Sequence, residues 1–500
     1  MVEFLSAFQT LLQPTNFLLL FLCSAIGIII GAIPGMNAGM GIAILLSVTL
    51  GMSMETSFAM LLGVWIGGVS GGFIAAVLVG IPGTPSSIAT CYDGYPMHKN
   101  GQTLKAMGAG IVGSFIGTFL SILIAAALCP LIAELAVKLG PWEYFSLCLC
   151  AIFLISSFSR ENMFKGFAGA FIGMLLAAVG AAPIDATPRF TFGNYHLLGG
   201  LDIVALILGF FAIKEILTDT SREHQVAPIV KTRGALDFGI TWRDLKDNFS
   251  NIVRSFLIGL WIGFLPGVGS GLSNMVAYAQ AKNSSKHPEK FGTGIVDGVF
   301  ASEVSNNASI GGAIIPMVAL GIPGDSITAI LLSALTIHGL QPGPLFLTSD
   351  PTAAYFIFAG VLVAAAVVLV QQLFTMRFFP SILRIPYHYL YSTIIVICFI
   401  GAYISTNTIF NVSLMLVFTV FAVFLDMAKI STTPLILGYI LGPMLELNFR
   451  RGLSYSDQGL LTFVTRPISL ILLILAVLSV AWPFIDDYLK ARKSASADRG

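Results

Sequence analysis

GAIPGMNAG, residues 31–39, returns as GFLPGVGSG, residues 263–271, each copy after an apolar run and before a second, shorter one. Proline lacks the amide proton and glycine costs backbone entropy, so a Pro-Gly pair with further glycines cannot continue an α-helix. Two apolar helices are therefore broken at matching places. Inside a bilayer the freed N–H and C=O groups need partners, and irregular backbone persists there only against protein or a water-filled cavity. Broken helices at corresponding positions of two halves point to the binding site of a transporter.

Composition fits this reading. The 500 residues are 56% hydrophobic and 10% charged, which is a polytopic membrane chain rather than a soluble enzyme. With 26 Lys+Arg against 25 Asp+Glu there is no basic footprint for nucleic acid. Cys23, Cys91, Cys129, Cys148, Cys150 and Cys398 mostly sit in apolar runs without metal-ligand spacing and read as small buried hydrophobes. The start MVEFLSAFQTLLQPTN has no basic n-region, and the run after it leads into the first Pro-Gly break, so no cleaved signal peptide is expected.

The arms around the first break, 16–33 and 40–50, fall short of the roughly 20 residues of a full crossing, as do 251–265 and 272–281 around the second. Two re-entrant hairpins fit better than four spans. After each comes a long crossing with its own break, VGIPGTPSSI (79–88) and LGIPGDSITA (320–329). Pro34 and Pro82 are 48 positions apart and Pro266 and Pro323 are 57, the extra length fitting the polar loop KNSSKHPEK (282–290). DGYP (93–96) against HGLQP (338–342) and PWEYF (141–145) against PYHYL (386–390) extend the duplication in the same order.

Charge orients the halves, because Lys and Arg in short loops stay cytoplasmic. The loop at 51–56 carries Glu55 and no basic residue, whereas its counterpart holds Lys282, Lys286 and Lys290. At the next loop the signs swap, with Lys99 and Lys105 in 97–105 and no Lys or Arg in 341–350. Equivalent loops on opposite sides are the mark of inverted repeats. We expect an all-α, polytopic integral membrane protein with two inverted-topology repeats, about 11 transmembrane helices and two re-entrant hairpins. The first repeat covers 1–217, a cytoplasmic linker 218–250, the second repeat 251–460, and a final helix with a cytoplasmic tail 461–500. Further crossings are expected near 107–128, 142–158, 167–183, 201–217, 353–376, 390–405, 409–425, 434–445 and 463–484. This places Arg160, Lys165, Arg377, Arg384 and Lys490 to Lys493 inside, but Arg450 and Arg451 outside, so either their loop is an exception or 434–445 does not cross.

A helix N-terminus presents unpaired N–H groups and partial positive charge, and can hold a carboxylate without Lys or Arg. The four breaks contain neither, so the candidate substrate-binding residues are Pro34, Gly35, Asn37, Gly39, Gly83, Thr84, Ser86, Ser87, Pro266, Gly267, Gly269, Ser270, Gly324, Ser326 and Thr328, with Ser273 nearby. Close helix packing would explain the glycines of one isolated motif; their duplication in inverted halves favours a binding role. SNNASIGG (305–312) puts Asn306 and Asn307 in an apolar crossing, where they hydrogen-bond or coordinate. Oxygen ligands suit a hard cation such as Na⁺, so Ser305, Asn306, Asn307, Glu303 and Asp325 are the candidate cation ligands; an interhelical hydrogen-bond cluster is the alternative. Asp325, directly after Pro323-Gly324, suits a helix cap better than a ligand. Glu303 stays open between ion coupling and a structural bond. Gly269-Ser270-Gly271 is too short for a nucleophile elbow, and the six histidines show no ligand spacing, so neither an enzyme nor a resident cofactor is expected.

IPGMNAGMG, GIPGTPSSIATCYDGYPMHKNGQ, LPGVGSGLSNMVAY, SEVSNNASIGGAIIPMVALGIPGDS and IHGLQPGPLF together resemble the large membrane subunit of the tripartite tricarboxylate transporters, the TctA family, over most of 17–347. The resemblance implies a three-component uptake system of the bacterial inner membrane. A soluble periplasmic binding protein (TctC type) would deliver a carboxylate, and a small four-helix membrane subunit (TctB type) would accompany the chain. A Na⁺ or H⁺ gradient would drive uptake. Family members serve varied carboxylates, so citrate is not implied. The alternatives are a carboxylate or anion transporter that works without a binding protein, or a channel.

Overall fold

The structure is a computed structural model that describes residues 2–157, 163–219, 238–382 and 387–481. Arg160, Arg222, Lys231, Arg233, Arg384 and Lys490 to Lys493 lie outside the described residues. Among the described residues, apart from a two-residue ladder pairing Gly180–Ala181 with Pro188–Arg189, the elements are helices. Six of them are long and apolar enough to cross a membrane: Pro14–Ala32, Met54–Leu78, Thr103–Ala136, Pro351–Phe378, His388–Thr406 and Ile409–Met427.

The residues fall into two compact units, Met1–Ala133 with Ile203–Val423, and Glu134–Asp202 with Phe424–Gly500. In the first unit both Pro-Gly stretches break helices as expected, leaving arms at Pro14–Ala32 and Ala38–Val48, and at Phe249–Phe264 and Gly269–Ser284. Contrary to the expectation that every arm falls short of a crossing, Pro14–Ala32 is long and apolar enough to make one. The helices that stand where the following crossings are expected are Met54–Gly71, continued by Phe73–Leu78, and Val296–Leu320, the last of which is not among the six apolar enough to cross. Glycines set how these elements meet. A Cβ on Gly63, Gly67 or Gly71 would strike the carbonyl of Leu20, Ser24 or Ile28 respectively, so Pro14–Ala32 and Met54–Gly71 lie side by side and run the same way. Ala38–Val48 runs the opposite way, since a Cβ on Gly68 would meet Ala38 and one on Gly41 would meet Val64. The chain thus doubles back at residues 33–37.

The second half repeats this arrangement. A Cβ on Gly259 or Gly263 would strike the carbonyl of Ser305 or Ser309, so Phe249–Phe264 runs alongside Val296–Leu320 in the same direction. Gly269–Ser284 returns against it: Ser273 faces Ser305, and Tyr278 faces Gly298. Thr103–Ala136 fixes the relation between halves, with Gly113 against Phe300, Gly117 against Val304 and Ala308, and Ser121 against Gly311. These two helices also run the same way. Thr103 follows directly on the end of the first broken segment, so the second crossing begins at the end where the first one finishes.

The second unit is held by small residues and paired charges. Gly173 lies against Leu435 and Gly438 against Ala170, which packs Met163–Ala177 antiparallel to Thr432–Ser454 at backbone distance. The segment expected at 434–445 is therefore part of a longer helix, and Arg450 and Arg451 belong to its end rather than to a loop. Glu446 bonds Arg189 at 2.8 Å and Arg450 at 2.9 Å, and Arg450 also reaches Asp185 at 3.4 Å. The span expected at 167–183 stops at Ala177, where the short ladder follows. Residues 201–217 form Ile203–Ile207, a π-helical stretch Leu208–Ile213 and Lys214–Asp219. The helix Val2–Leu11 lies ahead of any element the sequence reading expected.

Candidate functional site

At the first tip Ile33 turns extended, Gly35 takes a positive φ of 89°, and Asn37 caps the returning arm by accepting the Met40 N–H at 2.9 Å. At the second tip Leu265 is extended, Gly267 and Gly269 take φ of 78° and 69°, and the returning arm starts with no side-chain cap. The Gly267 N–H instead donates to the Gly324 carbonyl at 2.6 Å.

The two Gly-Ile-Pro-Gly breaks are closed differently. At the first, Gly80 is left-handed and Thr84 forms a capping box with Ser87 ahead of the one-turn helix Pro85–Ser87 and the helix Ile88–Lys99. At the second, left-handed Gly321 ends Val296–Leu320 with its N–H on Met317, and the Ile322 N–H reaches back to Pro316. Asp325 then caps Ser326–Ile337: its Oδ1 accepts the Thr328 N–H at 2.8 Å, and its own N–H donates to Thr328 Oγ1 at 2.8 Å. The capping role read for Asp325 is the one it fills.

All four breaks meet. A Cβ on Gly83 would strike the Gly31 carbonyl, tying the first tip to the first break, and the Gly267–Gly324 bond ties the second tip to the second break. Across the halves, the Asn274 side-chain amide donates to the Ser86 carbonyl, and Gly39 lies against Ile327 and Ile330. Four helix N-termini, those of Ala38–Val48, Ile88–Lys99 with its 3₁₀ lead, Gly269–Ser284 and Ser326–Ile337, therefore open on one region. Pro34, Gly35, Asn37, Pro266, Gly267, Gly269, Ser270, Asp325 and Ser326 are half-buried there, while Gly39, Gly83, Thr84, Ser86, Ser87, Gly324 and Thr328 are buried. The Thr84, Ser87 and Thr328 hydroxyls are engaged in caps, so the groups left to face a ligand are mainly main-chain amides.

Beneath this region lies a buried polar cluster on Val296–Leu320, comprising Ser302, Glu303, Ser305, Asn306 and Asn307. Glu303 accepts from Thr90 at 2.5 Å, Ser114 at 3.2 Å and Asn306 at 3.5 Å, and among the described residues no ion pair reaches it. Asn307 is saturated: its oxygen accepts from Ser70 at 3.0 Å and Thr118 at 3.2 Å, and its amide donates to Ser114 at 2.9 Å and the Glu303 carbonyl at 3.0 Å. The Ser305 hydroxyl donates to the Ser273 carbonyl at 2.9 Å, and the Ser273 hydroxyl is shared between the Ser270 carbonyl at 3.0 Å and the Ser305 carbonyl at 3.4 Å. Asp325 does not join this group.

Several site residues escaped the sequence reading. Thr90, Ser114 and Thr118 lie in stretches read only as break-flanking chain and plain crossing, yet they supply most of the donors to Glu303 and Asn307. The i, i+4 spacing of Ser114 and Thr118 beside Gly113 and Gly117 is the signal that could have found them, since it marks one close-packed polar face. Buried Asp93, in the DGYP echo, accepts N–H bonds from Gly292, Gly294 and Ile295 at 2.9, 2.9 and 3.1 Å and the Tyr278 hydroxyl at 2.8 Å. It fastens the end of the first broken segment to the start of the second crossing. His338, in the matching echo, packs edge-on against Phe58 near the start of the first crossing, with ring centroids 6.2 Å apart.

The profile of the tripartite tricarboxylate transporter TctA family matches residues 17–437. An uncharacterized 52.8 kDa protein in the TAR-I ttuC' 3' region of Agrobacterium vitis is 32% identical over 466 residues, covering 93% of this chain and 92% of its own length. An uncharacterized protein in the TAR-II ttuC' 3' region of the same organism is 34% identical over 222 residues, 44% of this chain and 92% of its own. No solved structure matches.

Proposed function

The chain belongs to the tripartite tricarboxylate transporter TctA family, and from that premise we propose that it is the large membrane-spanning subunit of a tripartite, cation-gradient-driven secondary transporter. Membership makes it a multi-pass membrane component of a transport system and is consistent with a protein that is not an enzyme. In this reading it imports a small tri- or dicarboxylate across the bacterial inner membrane. A periplasmic solute-binding protein delivers the substrate, a small four-helix subunit accompanies the chain, and Na⁺ or H⁺ moves with it.

The observation that carries the reading is the meeting of four helix N-termini at one half-buried region. Each such end carries roughly half a positive charge; the end of Ser326–Ile337 is already met by the Asp325 cap, and the remaining amides of the group suit a carboxylate without a basic side chain. The chain reversals at residues 33–37 and 265–268 support two re-entrant hairpins, and the opposed starts of the two crossings support inverted repeats of residues 1–217 and 251–460. Pro34, Gly35, Asn37, Gly267, Gly269, Ser270 and Ser326 would contact substrate, and the glycine-lined arms would move as rigid bodies to expose it to each side in turn.

Reconstitution tests this. Proteoliposomes holding the chain and its small subunit, supplied with binding protein, should accumulate labelled carboxylate only under an imposed Na⁺ or H⁺ gradient. Leak that ignores every gradient would mean a channel, and accumulation without binding protein would remove the tripartite scheme.

A further inference from the structure

Two amide oxygens beside the Glu303 cluster have no hydrogen-bond partner among the described residues although both side chains are fully buried: Oδ1 of Asn274 and Oδ1 of Asn306. A buried carbonyl oxygen without a partner costs free energy comparable to a lost hydrogen bond, and a bound ion is one of the few things that relieves it. Each asparagine directly follows a member of the reciprocal Ser273–Ser305 pair, which clamps the two backbones together at this level. The other ends of the same side chains are tied down, Asn274 Nδ2 to the Ser86 carbonyl and Asn306 Nδ2 to the Glu303 carboxylate. Neither amide can therefore turn its oxygen toward a donor without giving up its existing bond.

We propose that the Asn274 and Asn306 amide oxygens, with the Glu303 carboxylate, form a Na⁺ site, and that Thr90 and Ser114 position the carboxylate. Neutral carbonyl oxygens and one carboxylate are hard donors suited to a hard cation, and a single carboxylate balances a single positive charge in a region no Lys or Arg side chain reaches among the described residues. The proposal narrows the cation ligands expected from sequence. Asn307 has no free lone pair or proton and Asp325 is a cap, while the Ser305 hydroxyl gives its proton to the Ser273 carbonyl and keeps its lone pairs. Asn274, on the returning arm of the second hairpin, takes their place.

The location explains coupling, and in this respect the inference rests on the transporter reading. Asn274 belongs to the second hairpin, Asn306 and Glu303 to the second crossing, and the Ser86 carbonyl and Thr90 to the first break. A cation here joins the second hairpin to the opposite half directly below the four N-termini. Binding it would hold those N-termini in the arrangement that takes a carboxylate.

The test is the melting temperature of the purified full chain in detergent, without substrate, in NaCl against equimolar KCl and choline chloride. Na⁺ at about 100 mM should raise the wild-type value by about 3 °C or more over K⁺. Asn274→Ala, Asn306→Ala and Glu303→Gln should lose that difference, and Gln280→Ala, on the exposed face of the same arm, should keep it. Equal melting in Na⁺ and K⁺ for the wild type, or an undiminished Na⁺ difference in the three variants, overturns the site. Should the alanine variants fail to fold, Asn274→Ser and Asn306→Ser with equilibrium ²²Na⁺ binding replace them, weaker binding than wild type being expected and unchanged binding overturning the site. Accumulation driven by a pH gradient in Na⁺-free proteoliposomes would remove the Na⁺ site and leave the transporter reading standing.

Discussion

The two halves share a path but not a chemistry. Each has a helix that breaks, an arm that doubles back along the next crossing, and a second break closed by a cap. Yet Met54–Gly71 buries Ser57 and Ser70 in an otherwise apolar middle, whereas Val296–Leu320 buries a carboxylate, two asparagines and three serines in the same stretch. The tips differ too. Asn37 is extended with φ −140° and caps its arm, while Gly269 at the matching position has φ +69°, where an L side chain is strained. The shared path supplies the frame that brings the helix N-termini together, and among the described residues the buried carboxylate and asparagines are concentrated in the second of these crossings.

Substituting the paired contact glycines probes the shared frame and should give the largest effects. A Cβ on Gly31 would strike the Gly68 carbonyl, and one on Gly263 the Ser309 carbonyl. Gly31→Val and Gly263→Val should each destabilise by about 3 kcal/mol or prevent folding, because backbone rather than a yielding side chain is struck. Fluorescence-detected size exclusion and melting in detergent read this out, and tolerance of one but not the other would break the equivalence of the halves.

Asp93 and His338 probe the asymmetry. Asp93→Ala orphans three backbone N–H groups and the Tyr278 hydroxyl and should cost about 2–3 kcal/mol. His338→Ala removes one edge-on ring contact and should cost about 1 kcal/mol. Similar losses at both positions would mean that the two latches are equally built and that the halves differ less than their contacts indicate. Asn37→Ala comes next, losing one cap for about 1 kcal/mol, and Gly269→Ala should cost a similar amount through strain alone. The pair separates by rescue: Asn37→Ser should recover most of the loss, since Ser also caps, whereas Gly269→Ser should not.

What is legible in the sequence depends on which interactions are local. Pro-Gly pairs, positive-φ glycines and the Asp325 cap act within a few residues of their own positions, so both tips and both breaks fall where residues 31–39, 79–88, 263–271 and 320–329 put them. Thr90, Ser114, Ser70 and Thr118, which bond Glu303 and Asn307, come from 189 to 237 positions away, and one polar residue in a crossing does not announce whom it will meet. The span expected at 434–445 ends nine residues short of the end of the helix Thr432–Ser454, at the position before Glu446. In the structure Glu446 is neutralised by Arg189, far off in sequence, and the helix continues through it.

The smallest effect concerns a contact that only the first half has. Lys105, at the start of Thr103–Ala136, pairs with Asp244 at 2.6 Å, and Gly239 packs against the Leu104 backbone. The matching loop at 341–350 has no Lys or Arg. Burial opposes charge on Asp244, but the Lys105 ammonium and the Thr241 hydroxyl and amide outweigh it and hold the carboxyl below its ordinary range. A carboxyl depressed in the folded state contributes stability above its unfolded pKa of about 4 and loses it as pH falls through the folded value. Wild type and Asp244→Asn should therefore differ in melting temperature at pH 7 and converge as the pH is lowered below 4. A Lys105→Met variant should lose the ammonium's part of that increment, and high salt should shrink it, because partly exposed ion pairs are screened. A difference that persisted unchanged well below pH 4 would mean that the contribution of Asp244 does not depend on its charge, and the first half would then carry no charge-dependent contact that the second lacks.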